Sequence, residues 1–312
     1  MTYSIETQHL TKRYGRLTAL NDLDLAIETG TLFGFIGPNG AGKTTTLRML
    51  AGLLEPTGGQ IRLQGQEIDH DLAAARWLVG YMPDFFGVYE DMKVWEYLDF
   101  FARCYRLAPD RRGRVVNELL ELVDLASKRD VWVESLSRGM RQRLCLAHAL
   151  VHDPQILLLD EPASGLDPRA RVEMRELLKE LSTLGKTIVI SSHILSELAE
   201  MCDQVGIIEK GRLVYSGSMA QLSQHAHGQR RLELRTLSPD DEVEAALQAY
   251  PGVTDCYLMD KGWAVHFSGE DEALAALLAY LIERKIQVIH FRQVADDLEA
   301  VFMRITTAGE AA

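Results

Sequence analysis

The chain has 312 residues, a formal net charge of −12, 47% hydrophobic residues and 25% charged residues. That length accommodates two domains, one of them large, and the composition suits a globular chain that buries a sizeable core. The acidic balance, with no lysine- or arginine-rich run, argues against nucleic acid as the main partner, since binding a phosphate backbone needs a basic face.

No stretch of about 18 apolar residues occurs, so no membrane span is expected. Met1-Thr2-Tyr3-Ser4-Ile5-Glu6 lacks a basic segment leading into an apolar one, so no leader is expected either. The expected location is the cytoplasm. Cys104, Cys145, Cys202 and Cys256 stand far apart without Cys-x-x-Cys spacing, and read as reduced thiols rather than a disulfide framework or zinc site.

The first thirty residues read as short strands, with a turn at Asn21-Asp22 and Leu23, Leu25 and Ile27 alternating with Asp24, Ala26 and Glu28. Thr31 to Ile36 is an apolar run of one strand's length. It leads into Gly37-Pro38-Asn39-Gly40-Ala41-Gly42-Lys43-Thr44-Thr45, and helix-forming residues follow. A strand, a Gly-x-x-x-x-Gly-Lys-Thr loop and a helix in this order make a nucleoside-triphosphate loop. The glycines let backbone N–H groups close round phosphate oxygens at a helix N-terminus. Lys43 is expected to reach the β- and γ-phosphates, and the Thr44 hydroxyl to ligate Mg²⁺.

From about Asp84 to Leu150 the periodicity is helical. Val94, Tyr97, Leu98 and Phe101 form one apolar stripe, and Val116, Leu119, Leu120 and Val123 another. Gln155 to Leu159 is a continuous apolar run fit for a strand buried on both faces; a helix near Arg169 to Leu184 and a strand at Thr187 to Ile190 follow. Strands alternating with helices predict a parallel α/β core.

Around Gln221 to Gln229 the pattern breaks into small polar residues, read as a linker whose His225 and His227 are solvated rather than metal ligands. Beyond it, Leu232 and Leu234 mark a strand, Val243, Leu247 and Tyr250 a helix, and Val253 to Met259 and Trp263 to Phe267 a hairpin turning at Asp260-Lys261-Gly262. Leu274, Leu277, Leu278, Leu281 and Ile282 mark a second helix, Gln287 to Phe291 a strand, and Leu298, Val301, Phe302 and Ile305 a last helical stripe. The order β-α-β-β-α-β is that of a small ferredoxin-like α+β domain with one helix appended.

The strand ending at Leu159 runs into Asp160-Glu161. A carboxylate at a strand end beside a phosphate loop is placed to hold Mg²⁺, and the next can deprotonate an attacking water; a solvated acidic pair is the plain alternative.

Further segments stand in order: Leu136-Ser137-Arg138-Gly139-Met140-Arg141-Gln142-Arg143 before that strand, Ser164-Gly165-Leu166-Asp167-Pro168 after it, and Ser191-Ser192-His193 at the end of the next. With these motifs the chain, over about residues 3 to 220, resembles the nucleotide-binding subunits of ATP-binding cassette (ABC) transporters. The resemblance implies a P-loop NTPase cassette at residues 1–222, with a RecA-like core, an antiparallel β subdomain and a helical subdomain at about 85–150. A linker at 223–229 and an accessory domain at 230–312 complete the expected layout.

The resemblance also implies roles. Tyr14 would stack on adenine; Gly37, Pro38, Asn39, Gly40, Ala41, Gly42, Lys43, Thr44 and Thr45 would hold the phosphates. Asp160 and Glu161 match Walker B and its catalytic glutamate. Ser137 and Gly139 would contact the γ-phosphate bound to the opposite subunit, Asp167 would link the two sites, and His193 would hold γ-phosphate and water in register. ATP, Mg²⁺ and a second cassette in a head-to-tail dimer, expected to be a homodimer, are therefore implied, with a permease on a separate chain docking near residues 85–125 at the inner membrane face.

Two residues depart from the family pattern. Arg138 and Met140 flank Gly139 where Gly-Gly-Gln is usual, so a cation stands near the dimer seam. Asp84, after Val79-Gly80-Tyr81-Met82-Pro83, takes the place of a glutamine; it either senses Mg²⁺ through water or is a surface acid. Asp84, Gly87 to Asp91 and the ending Leu298 to Arg304 resemble ABC-2-type exporter subunits. A soluble ABC ATPase acting on ribosomes or DNA is the alternative. A single cassette without heptads or basic arms argues against it.

Overall fold

A computed structural model describes residues 2–68, 72–85, 87, 91–226, 230–259 and 262–294. The chain divides into two compact units, Met1–Ser218 and Met219–Ala312.

The first unit begins with two long antiparallel strands, β1 (Tyr3–Tyr14) and β2 (Leu17–Glu28). The chain reverses between Tyr14 and Leu17, which pair, and Gly15 takes φ +57° there. The predicted turn at Asn21-Asp22 is not one, because β2 runs straight through it. Asp22 has φ +59° and faces a bulge at His9, itself at φ +51°. The His9 ring pairs with Asp22 Oδ1 at 2.7 Å, and the His9 N–H donates to Asp24 Oδ1 at 2.6 Å. Asp tolerates the left-handed region as a single residue in a bulge, while the reversal falls to glycine, which adopts it without strain.

β3 (Leu32–Ile36) leaves this sheet and feeds α1 (Lys43–Leu50) through the glycine loop. The chain then returns to the first sheet in β4 (Gly58–Leu63) and β5 (Gln66–Glu67), giving the order β2-β1-β4-β5. α2 (Leu72–Leu78), β6 (Val79–Met82), α3 (Val94–Cys104), α4 (Pro109–Leu122) and α5 (Arg138–Leu150) follow. After them come β7 (Ile156–Asp160), α6 (Pro168–Thr183), β8 (Thr187–Ser192), α7 (Leu195–Ala199), β9 (Gln204–Glu209) and β10 (Arg212–Ser218).

The second sheet has the order β10-β9-β3-β8-β7-β6; every pairing except β10 with β9 is parallel. All residues of β3, β7 and β8 are buried, as strands covered by helices on both faces require. Phe33, Phe35, Leu47, Met49, Ile156, Leu158 and Val189 share one core with the inward residues of the first sheet. The C-terminal ends of β3, β7 and β8 therefore lie side by side, where ligands bind in sheets of this kind. In the helical region Val94, Tyr97 and Leu98 of α3 and Val116, Leu119 and Leu120 of α4 are buried, as their spacing predicts.

The second unit opens with α8 (Met219–Ala226), so the first part of the predicted linker is helical, and residues 227–229 lie outside the described ones. Met219-Ala220-Gln221-Leu222 are good helix formers, with no glycine until Gly228. Then come β11 (Arg230–Thr236), α9 (Asp240–Gln248), β12 (Val253–Met259), β13 (Gly262–Phe267), α10 (Asp271–Glu283) and β14 (Val288–Val294). Their sheet is antiparallel throughout in the order β12-β13-β11-β14, the ferredoxin-like arrangement expected from the element order. Met259 pairs with Gly262, closing the expected hairpin. Val243, Leu247, Leu277 and Leu281 pack against Leu232, Leu234, Trp263, Val265 and Phe267. The last predicted stripe, Leu298 to Ile305, lies outside the described residues. Among the described residues no helix is long and apolar enough to cross a membrane.

Candidate functional site

The glycine loop closes tightly between β3 and α1. A Cβ on Gly37 would stand 2.3 Å from the Ile208 carbonyl oxygen, so the loop can be this close to β9 only with glycine there. Gly42, the N-cap of α1, has φ +113° and offers no side-chain cap, so the first N–H groups of α1 are left for an anion.

Lys43 is 6% exposed, and its ammonium bends back over the loop. Nζ donates to the Gly37 carbonyl at 2.6 Å and to the Pro38 carbonyl at 3.3 Å, and stands 3.6 Å from Glu161 Oε1. Burial holds its pKa below the usual lysine range, opposed by the charges of Glu161 and Asp160.

The ends of β7 and β8 supply the facing groups. Asp160, 1% exposed, accepts at Oδ1 from the Ser191 hydroxyl at 2.6 Å, and the same Ser191 oxygen accepts from the Glu161 N–H at 3.0 Å. Glu161 has φ +51°, a strained backbone for a residue with a side chain. Its carboxylate is shared: Oε1 faces Lys43, and Oε2 lies 2.9 Å from His193 Nδ1. A carboxylate only accepts, so the hydrogen of that contact belongs to His193 Nδ1.

Residues 38–45, with Ala19, Asp84 and Glu161, line an open cleft of about 180 Å³. Asp84 thus faces the same space as Thr44 and Thr45. Tyr14 does not line it; the ring stands half exposed, with Lys12 Nζ 5.3 Å from its centroid. Ser137 and Gly139 do not line it either. They begin α5, where the Ser137 Oγ caps the helix by accepting from Met140 N at 3.3 Å. Asp167 likewise caps α6, accepting from Ala170 N at 2.9 Å. One chain therefore gathers Lys43, Thr44, Asp84, Asp160, Glu161 and His193, and leaves Ser137, Gly139 and Asp167 elsewhere.

Thr44, Asp160 and Asp84 are hard oxygen donors, and among the described residues no group of three His, Cys, Asp or Glu side chains could hold a metal. So sparse a set fits Mg²⁺, which keeps waters and takes phosphate oxygens from its nucleotide. Ser191 is the residue that sequence reasoning missed. Its only signal was its place just after the strand predicted at Thr187 to Ile190, and strand pairing is not written in either segment.

The profile of the family described as "ABC transporter" matches residues 20–164. The chain is 36% identical over 316 residues to the Nod factor export ATP-binding protein I of Paraburkholderia xenovorans, with 97% of each chain covered. It is 34% identical over 304 residues to an uncharacterized ABC transporter ATP-binding protein, YxlF, of Bacillus subtilis, covering 97% of this chain and 100% of that one. A solved ATP binding subunit of an ABC transporter superposes with a TM-score of 0.64 at 29% identity, over 71% of this chain and 92% of that one. The cbiO1 protein of Clostridium perfringens, part of the ABC transporter complex cbiONQ, does so with a TM-score of 0.65 at 28% identity, over 71% and 91%.

Proposed function

This chain belongs to the ATP-binding subunits of ABC transporters, and from that premise we propose that it is the ATPase of an exporter, dimerising on ATP and driving a permease carried on a separate chain. The observation that carries the reading is Glu161, held over the glycine-loop cleft between Lys43 on one carboxylate oxygen and His193 on the other.

In the proposed cycle Lys43 exchanges its loop carbonyls and Glu161 for the β- and γ-phosphates, which gain a buried cation. Glu161, released from that pair, takes a proton from the water that attacks the γ-phosphate. His193 holds the carboxylate through Nδ1 and keeps water and phosphate in register. Thr44 and Asp160, with Asp84 through water, would hold Mg²⁺, which supplies neutralisation of phosphate charge when bound. Tyr14, its ring open to solvent, is the proposed adenine platform.

Ser137 and Gly139 stand apart from their own chain's cleft, which supports their acting on nucleotide held by a second cassette. Export is the activity in the names of relatives covering most of this chain. The permease would dock on the helical region, which keeps the chain at the inner face of the membrane.

The test is recovery of partners from membranes of cells expressing tagged Glu161→Gln protein, with and without ATP. A polytopic membrane protein in stoichiometric amount is expected. Ribosomal proteins instead would overturn the transport reading in favour of a soluble ATPase.

A further inference from the structure

The cation at position 138, in the Leu136–Arg143 segment, is already spent within its own chain. Arg138, first residue of α5, donates from Nη2 to the Ser164 carbonyl at 3.0 Å. Its guanidinium covers Gly165: a Cβ there would fall 2.3 Å from Arg138 Cζ and 2.4 Å from each terminal nitrogen. Gly165 has φ +66°, so its backbone calls for glycine, and the guanidinium lies where a side chain would otherwise stand. Arg138 thus grips the turn that leads from Glu161 to Asp167, a turn whose own closure consists of Ser164 N to Glu161 O at 3.0 Å and Leu166 N to Ala163 O at 3.3 Å.

One further contact joins α5 to the same loop, and another joins it to α6. Gln142 Nε2, one turn along α5, donates to the Pro162 carbonyl, and Arg143 pairs with Glu173 of α6. Between them a methyl on Gly139 would be in ordinary contact with Ala170 Cβ at 3.4 Å and Leu166 Cδ2 at 3.6 Å, so the helix start packs against the side chains that follow the loop. Donors from Arg138 and Gln142 of α5 therefore hold the loop at its second and fourth residues counted from Glu161, and the guanidinium lies over the fifth.

We propose that Arg138 is a positioning residue, which locks the N-terminus of α5, with Ser137 and Gly139, to the Glu161–Asp167 loop of the same chain so that the two move as one body. The inference rests on the reading that this loop serves ATP hydrolysis. Glycine at position 138 leaves the N-terminus of α5 free to shift against the loop. Arginine ties the placement of Ser137, which serves the opposite nucleotide, to the state of the loop beside this chain's own. A planar fork suits that task, because it donates to a carbonyl while lying flat on a residue without a side chain. The guanidinium is a strut, and it does not supply charge to phosphate.

The test compares the full-length protein with its Arg138→Gly and Arg138→Lys variants, matched for melting temperature. Steady-state ATPase is measured over a range of ATP, and amide exchange is followed across residues 163–167 without nucleotide. Arg138→Gly is expected to lower kcat about tenfold or more while KM moves less than twofold, and to speed exchange of the Ser164 and Leu166 amides about tenfold. Lysine, which can still donate to Ser164 but cannot cover Gly165, should restore part of both. A KM that rises as much as kcat falls would show Arg138 acting on phosphate and overturn the proposal, as would unchanged exchange with unchanged kcat. Absence of turnover in the unaltered protein would count against the ATPase reading alone, and the exchange measurement would still decide the strut.

Discussion

Ser191 Oγ joins the two carboxylates of the site, donating to Asp160 Oδ1 at 2.6 Å and accepting from the Glu161 N–H at 3.0 Å. Ser191→Ala leaves that N–H without a partner and frees the Asp160 carboxylate to rotate, a loss of about 1–3 kcal/mol locally. Turnover is expected to fall about 10-fold to 100-fold, the size typical of groups that orient metal-holding carboxylates, with a raised Mg²⁺ requirement. An ATPase titration in Mg²⁺ checks it; an unchanged half-saturating Mg²⁺ would separate Ser191 from Asp160. Glu161→Gln keeps the shape and removes the base, and should cut turnover by about 10²–10⁴-fold while ATP still binds. Asp84 lines the cleft by its position, so Asp84→Ala should also raise the Mg²⁺ requirement. Unaltered Mg²⁺ dependence and rate would mark Asp84 as a surface acid. The glycines and Lys43 were legible in the sequence because their spacing is local. The Ser191 bridge was not, because the segments carrying it meet only through the pairing of Asp160 with Ser191 in adjacent strands.

At the scale of elements, the end of α5 and the turn after it carry two histidines that pack on the end of α3 and its C-cap. His148 stacks on Phe101 with centroids 3.6 Å apart, and His152 on Tyr105 at 3.9 Å, its Nε2 lying 3.2 Å from the Val79 carbonyl oxygen. Burial lowers both from the usual histidine value of 6.5 to about 4. Between those values the unfolded chain binds protons that the folded chain refuses, so stability falls as pH drops from about 6.5 to about 4 and changes little above. For His148 that loss amounts to about 3 kcal/mol. Denaturant unfolding at pH 7 and pH 5 should show the decline, and His148→Phe should flatten it. An unchanged slope in the variant would assign the acid sensitivity to other groups. The helical stripes around this contact were readable from periodicity. The stacking itself was not, since it depends on how α3 crosses α5.

The whole molecule is two units with separate cores, and every candidate site residue from Tyr14 to His193 belongs to the first. A chain ending at Ser218 is therefore expected to bind ATP within about twofold of the full-length protein, measured by calorimetry, since it keeps every residue that lines the cleft. If ATPase rate or dimer lifetime nevertheless changes, the second unit regulates; if neither does, it only packs. The ferredoxin-like order of that unit was legible because alternating apolar residues mark strands and each helix has one apolar face. The turn expected at Asn21-Asp22 and the linker expected from residue 223 were not resolved correctly. Polar residues signal turns only weakly, and a bulge or a helix start uses the same residue types.

The sequence alone determined what is local: the glycine loop, the acidic pair after a buried strand, the order of motifs and the faces of the helices. Each of these depends on residues a few positions apart, where spacing dictates geometry. Only the tertiary structure decided that Lys43 rests on Glu161, that Ser191 joins the two carboxylates, and that the Arg138 guanidinium closes on Gly165 instead of standing free. Those contacts link residues 27 to 118 positions apart, and strand pairing and helix packing set such distances without leaving a trace in either segment.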